Sequence, residues 1–378
     1  MTADLAVVGG GVIGCFAAYQ AVRAHPDWRV VLLERVAIGA GATGWSAGAC
    51  FPLAATAAHR ALVRDSAASY AALAGTAAHQ FVRPVQMIYV AGPDRLAGLQ
   101  ERVVDAALRP VSDSERGAVA RMLPGVRLAA GEELVTHDGH GFAVHARALA
   151  EGLAAEFAER AEIQLGQAVG AVEADGDGYR LLADGVTWSA RRVVVASGPW
   201  ALPTVRPLPG PGPGAGQRAS WPEPAGARRK RVAALYTRLP VTLDDPLVYF
   251  LDDDLFVLPL CVGSALVSFY RDEWDTDPDA VDGRADDADL RAGIAALHGR
   301  SAAAAEAVTG GRAFCDLYTE HRLPMVSADP AMPGLAAVRG GCGFGVRLAP
   351  ALAGAALRAV DTRLAVSDLA AHGGTRDH

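Results

Sequence analysis

The residues with the clearest chemical capacity open the chain. Gly9, Gly11 and Gly14 hold a G-x-G-x-x-G spacing between the apolar run Leu5-Ala6-Val7-Val8 and a helix-forming stretch from Cys15 to Arg23. Such a run suits a parallel strand covered on both faces. Gly9 would make the tight turn, Gly11 would let the backbone approach a diphosphate, and Gly14 would let the helix pack close to the strand. Val12 and Ile13, within the motif, are candidate cofactor contacts beside the helix N-terminus, which favours negative charge. A second buried run, Arg29 to Leu33, ends at Glu34, about 20 residues past the last glycine, where a ribose-binding acid is expected. An acid there fits an unphosphorylated adenosine ribose, so FAD or NAD rather than NADP. The competing reading is a plain strand–turn–helix with a chance acid.

The next loop, Ile38-Gly39-Ala40-Gly41-Ala42-Thr43-Gly44-Trp45-Ser46-Ala47-Gly48, is built of small and hydroxyl residues that suit a backbone threading past a flavin. Two later segments share this character: the strand end Val193-Val194-Val195-Ala196-Ser197-Gly198-Pro199-Trp200, and Gly340-Gly341-Cys342-Gly343-Phe344-Gly345-Val346-Arg347. Together these motifs resemble the D-amino-acid oxidase superfamily, which includes glycine oxidase and sarcosine oxidase. The resemblance implies FAD as cofactor, lined by Glu34, Arg35, Thr43, Gly44, Ser46 and Ala47. It implies that the backbone around Val169 meets the adenine, and that Ser197, Gly198 and Trp200 return the chain to the cofactor. Trp45 either packs beside the loop or touches the isoalloxazine. Backbone N–H groups from Gly343 and Phe344 through Gly345, Val346 and Arg347 would stabilise negative charge near flavin N1 and O2.

The resemblance also implies a reaction: hydride passes from the carbon beside an amine nitrogen to flavin N5, leaving an imine, with dioxygen as the expected electron acceptor. Departures from the family pattern bear on the substrate, a small amine or amino-acid-like molecule. Where glycine oxidase-like members place an arginine for the substrate carboxylate, this chain has Asp316, which suits a cationic amine or merely pairs with a nearby arginine. Arg347 falls where sarcosine oxidase-like members carry a basic carboxylate ligand. These departures point away from a routine D-amino acid and toward specialised metabolism. Cys315 is one position off the spacing of a cysteine that holds flavin covalently, and reads as a buried, inert thiol. The family's oxygen-activating lysine has no counterpart on Leu266–Arg271, and Lys230 is the only lysine in the chain. Tyr249, Phe256, Tyr270, Trp274 and Phe344 are expected to wall the flavin, with Tyr249 and Tyr270 the candidates for substrate contact. His140 and His321 read as structural. Three alternatives stay open: an FAD dehydrogenase passing electrons to a partner, an NAD-dependent dehydrogenase, and a non-catalytic flavin subunit.

Positioning these residues calls for an α/β fold: a Rossmann-like FAD-binding domain of the glutathione-reductase type, plus an α+β substrate domain with a mixed or antiparallel sheet. The expected division gives residues 1–80, 137–205 and 315–378 to the FAD-binding domain, and 81–136 and 227–314 to the substrate domain. A Pro/Gly-rich loop over 206–226 would join them. Single strands are read over Val85–Val90 and Ile163–Val169, a hairpin turns at Asp184-Gly185, and runs at 247–251, 255–260 and 265–270 form an antiparallel meander. The basic run Arg228–Arg231 reads as a solvated edge. At 378 residues and 51% hydrophobic the chain can bury a large core, and its net charge of −7 offers no nucleic-acid footprint. The five cysteines contain no C-x-x-C pair, which speaks against a zinc site or a disulfide framework. The start lacks a signal-peptide pattern, and no apolar run reaches the roughly 18 residues of a membrane span. The expectation is a cytoplasmic protein that binds no membrane and no metal.

Overall fold

A computed structural model describes residues 2–139, 141–206, 224 and 226–361. The expected loop over 206–226 and His140 therefore lie almost wholly outside the described residues.

The fold is α/β and mixed, as the motifs require. A six-stranded sheet carries the cofactor motifs, in the order Ala161–Leu165, Val30–Glu34, Leu5–Val8, Val193–Val195, Leu335–Arg339 and Met325–Ala328. Only its last pair is antiparallel. Leu5–Val8 is buried throughout, which is why its sequence does not alternate. Helices Val12–Ala24 and Gly345–Val360 pack together beneath it in one hydrophobic core. The second helix runs through Pro350, which has no N–H for the carbonyl of Val346; the buried Tyr70 hydroxyl donates to that oxygen instead.

An eight-stranded sheet stands against the cofactor layer, in the order Val308–Tyr318, Arg228–Arg238, Ser264–Ser268, Leu255–Cys261, Leu247–Phe250, Met87–Ala91, Glu133–His137 and Leu108–Pro110. The meander is present, and Leu247–Phe250 then pairs in parallel with Met87–Ala91. One face packs Ala233, Leu235, Val267 and Ala313 against Leu297 of helix Asp287–Arg300. The other face looks toward the cofactor layer. A five-stranded sheet holds the hairpin Gly178–Ala183/Val186–Ala190, turned by Asp184 and Gly185 at φ of 41° and 83°. A small three-stranded sheet joins Ala49–Cys50, Gly141–Val144 and Val82–Val85.

Three readings change. Val85–Val90 is two strands, Val82–Val85 and Met87–Ala91, which enter different sheets and part at Gln86. Ile163–Val169 likewise divides into Ala161–Leu165 and Val169–Asp175 around Gly166, whose φ is 71°. Apolar runs reveal strand character but not a change of sheet. The basic run Arg228–Arg231 is not a solvated edge: it begins an eleven-residue strand, and Lys230 and Arg231 are buried. The Arg231 Nη2 lies 2.6 Å from Asp289, which Arg271 Nε also reaches at 3.0 Å.

Candidate cofactor and active site

The glycine motif is built as its spacing requires. Gly9 sits at φ 106°, and a side chain there would strike the Ala196 carbonyl at 2.5 Å. A Cβ on Gly14 would come within 1.9 Å of the Gly9 carbonyl, so only glycine lets the helix approach this closely. A Cβ on Gly11 would meet only Thr43 Oγ1, at 3.2 Å. Helix Val12–Ala24 starts with no side-chain cap and no acid in its first turn, which leaves its positive end for an anion. Val12 N donates to Thr43 Oγ1 over 3.0 Å, joining this turn to the small-residue loop. Glu34 accepts from Gly10 N at 2.6 Å and Val36 N at 2.9 Å, so its carboxylate is fixed at the strand end with lone pairs to spare.

These groups line one cavity of about 1050 Å³. Arg35, Ser46, Val169, Ser197, Gly198, Trp200, Gly343, Gly345 and Val346 are all among its lining residues. The uncapped helix, the close backbone approach at Gly11 and the fixed acid fit an adenine dinucleotide. Gly44 has a packing role, since a Cβ there would meet the Gly39 carbonyl at 2.6 Å. Gly14, Gly44, Ala47, Phe344 and Arg347 are not among the lining residues. Trp45 both lines the cavity and packs against Gly283. One feature was not legible beforehand: Asp279, on the short turn Pro278–Ala280, accepts from Trp200 Nε1 at 2.8 Å and Arg35 Nη2 at 3.1 Å. The Arg35 guanidinium lies 4.0 Å from the Trp200 ring, so this cluster closes one rim of the cavity.

Asp316 lines the same cavity and is buried. It accepts from Leu317 N at 2.8 Å and Gly343 N at 2.7 Å, tying its strand to the glycine loop rather than pairing with an arginine. Burial raises its carboxyl to about 6, against the pull of those two N–H groups. The neighbouring Cys315 thiol bonds the Thr276 carbonyl at 3.6 Å, and burial pushes it up to about 12.

The expected aromatic wall divides in two. Tyr249 and Phe256 cluster with Phe51, at 5.0 and 5.4 Å between ring centres, and with Tyr89 behind. Phe344 lies apart, 5.2 Å from His59, with the Arg347 guanidinium 4.2 Å from its ring. Arg347 is buried and donates through Nη1 to the carbonyls of Phe51 at 2.9 Å and Leu53 at 3.2 Å. Among the described residues it has no carboxylate partner, and burial lowers it to about 10. His59 is held down to about 4 by burial and by the charges of Arg347 and Arg102, so it is neutral at pH 7. Tyr249 donates to Asp254 at 2.6 Å.

Tyr270 and Trp274 belong to the second cluster, and neither they nor Tyr249 and Phe256 line the cavity. With Tyr318 they surround Lys230, whose Nζ lies 3.9 Å from the Tyr270 ring, 5.2 Å from Trp274 and 5.5 Å from Tyr318. Desolvation lowers the pKa of this ammonium. Lys230 itself does not line the cavity; it comes from the strand paired with Ser264–Ser268, a meeting that sequence spacing had no means to show. Tyr89 and Tyr318 were likewise missed, because only strand register places them, and Phe51, just past strand Ala49–Cys50, because only tertiary packing does. His321 sits exposed at a turn. Among the described residues no helix is long and apolar enough to cross a membrane, and no cluster of His, Cys, Asp or Glu could hold a metal ion.

Residues 4–358 match the family model described as DAO, FAD dependent oxidoreductase. No curated protein matches the sequence significantly. Among solved structures, glycine oxidase from Geobacillus kaustophilus is similar at TM-score 0.74 and 20% identity, covering 96% of this chain and 95% of its own. L-proline dehydrogenase from P. horikoshii gives 0.75 and 13%, covering 96% and 94%. L-α-glycerophosphate oxidase from Mycoplasma pneumoniae, with FAD bound, gives 0.73 and 14%, covering 96% and 95%.

Proposed function

Since this chain belongs to the DAO family of FAD-dependent oxidoreductases, we propose that it oxidises a C–N bond in a small amine or amino-acid-like substrate, with dioxygen as electron acceptor. Bound FAD supplies the two-electron acceptor. It would rest on Gly9, Gly11 and the start of helix Val12–Ala24, with Glu34 at the ribose and the loop at Gly343–Val346 beside the ring system.

The observation that carries the amino-acid-like reading is Arg347. A buried guanidinium with no carboxylate partner among the described residues, beside Phe51, Tyr249 and Phe256, is a prepared seat for a substrate carboxylate. The rings exclude water and fix orientation, which strengthens the charge interaction. His59 stays neutral and so leaves the carboxylate to Arg347. Asp316, which lines the cavity and is ionised above about pH 6, favours a positive nitrogen. The glycine oxidase and L-proline dehydrogenase named above act on amino acids, in keeping with this seat.

The test is an anaerobic panel of amines with and without carboxylates, watched for loss of the flavin's visible absorbance. Carboxylated amines should bleach it, and Arg347→Gln should raise their KM by ten- to a hundredfold while sparing plain amines. Admission of air should then restore the colour and produce peroxide. A colourless protein that binds nicotinamide would defeat the reading, and bleaching without oxygen uptake would replace dioxygen with a partner acceptor.

A further inference from the structure

The strongly charged part of FAD is its diphosphate. The start of helix Val12–Ala24 offers about half a positive charge, which leaves most of that charge unmet. Among the described residues four arginines line the cavity: Arg35, Arg228, Arg229 and Arg339. Arg35 is paired with Asp279 and Arg228 with Asp275. Arg339 is buried, and its Nη1 donates to the carbonyls of Gly198 and Trp200. Arg229 differs from all three. It is half-buried, and its Nε donates to the Pro199 carbonyl at 2.7 Å. It has no carboxylate partner among the described residues. One N–H of the fork is therefore spent on fixing the guanidinium in place, and the Nη groups are left for a ligand.

The place where it is fixed is the glycine turn. Pro199 lies two residues beyond Ser197, a span of at most about 7 Å. Ser197 N stands 3.4 Å from where a Cβ on Gly9 would be. On the other side of Pro199, the Trp200 ring packs on Gly41, where a Cβ would come within 2.9 Å. Thr43, two positions further, accepts the N–H of Val12 at the helix start. Arg229 itself belongs to strand Arg228–Arg238 of the eight-stranded sheet, so it reaches this turn from the other layer. Its charge is also felt inside the cavity: burial raises the Cys315 thiol, and Arg229 opposes that rise. A guanidinium held this way presents a fork that matches phosphate oxygens.

We infer that Arg229 grips the diphosphate of bound FAD from the substrate-sheet side, so that the cofactor ties the two layers together. The inference rests on the FAD half of the proposed function and is independent of the amine substrate.

Dilution of the yellow holoenzyme, followed by the recovery of flavin fluorescence, gives the Kd for FAD. Displacement of FAD by ADP and by adenosine then gives theirs. Arg229→Gln should weaken FAD and ADP alike by about ten- to a hundredfold, and leave adenosine, which has no phosphate, within about twofold. Arg229→Lys keeps the charge without the fork and should fall between wild type and Arg229→Gln. FAD held as tightly by Arg229→Gln as by the wild type would overturn the inference. So would a loss for FAD that ADP does not share, which would put the guanidinium at the flavin, or a loss that adenosine shares, which would put it at the nucleoside. Should Arg229→Gln fail to fold, Arg229→Lys decides by the same comparison: FAD and ADP must both weaken while adenosine does not. A wild type that takes up no FAD would defeat the cofactor reading itself, whereas FAD uptake untouched by the substitutions defeats only the role of Arg229.

Discussion

At the scale of single residues, Asp316 joins two roles that pull its ionisation in opposite directions. The N–H groups of Leu317 and Gly343 favour the carboxylate, and burial favours the acid. Burial dominates and the folded pKa rises to about 6 from 3.8. A raised pKa means that the group's stabilising contribution is complete below about 3.8 and is lost as pH rises through about 6. Thermal melts across pH 4–7 should therefore show a falling component that Asp316→Asn removes. That variant should also be less stable by about 1–3 kcal/mol, because one N–H loses its acceptor. His59 works the other way. Its pKa is lowered to about 4 from 6.5, so its contribution is present above 6.5 and is lost as pH falls through about 4. Melts of His59→Gln separate the two. Cys315 carries a simpler expectation. A thiol pushed up to about 12 is a poor nucleophile. Acid precipitation should leave the yellow colour in the supernatant, and colour in the pellet would show a covalent flavin.

At the scale of elements, the turn from strand Leu5–Val8 into helix Val12–Ala24 separates two uses of glycine. Gly14→Ala forces a Cβ to 1.9 Å from the Gly9 carbonyl, so the helix must shift and the cofactor layer should fail to form stably. Gly11→Ala meets only Thr43 Oγ1 at 3.2 Å, so the fold should survive while the approach to a diphosphate is blocked. The expected pair is an unstable or insoluble Gly14→Ala and a folded, colourless Gly11→Ala, read by melting curves and bound flavin. A yellow Gly11→Ala with wild-type affinity would remove the diphosphate from this turn. The motif was legible because its chemistry is local: strand, turn and helix follow one another within about 20 residues. The divided strands at Gln86 and Gly166 were not, since each pair of halves follows on without a marked break and their separation depends on which sheet each joins.

At the scale of the whole molecule, the cavity is closed by groups drawn from distant parts of the chain. Asp279 links Arg35 and Trp200 across its rim, so Asp279→Ala should speed FAD release. The carboxylate is exposed, so the effect should be modest, within about tenfold. Dissociation followed by flavin fluorescence measures it; an unchanged rate would assign the cluster to packing alone. FAD itself should raise the melting free energy by about 2.7 kcal/mol at a hundredfold excess over its Kd.

The sequence by itself determined the cofactor half of this protein. Gly9, Gly11, Gly14 and the strand end at Gly198 act through backbone shape, Glu34 through a carboxylate held at its own strand end, and such short spans leave their pattern in the chain. The substrate half depends on side chains that meet across strand register. Lys230 reaches Tyr270 from another strand, Asp316 holds Gly343 across 27 positions, and Arg347 finds the carbonyl of Phe51 across 296. The run Arg228–Arg231 shows the reason most directly. Four consecutive charges look like a solvated edge in one dimension, but a strand turns alternate members to opposite faces. Arg231 then meets Asp289 while Lys230 enters a ring of aromatics. Which face each charge would occupy, and what would stand opposite, was settled only by the packing of the two layers.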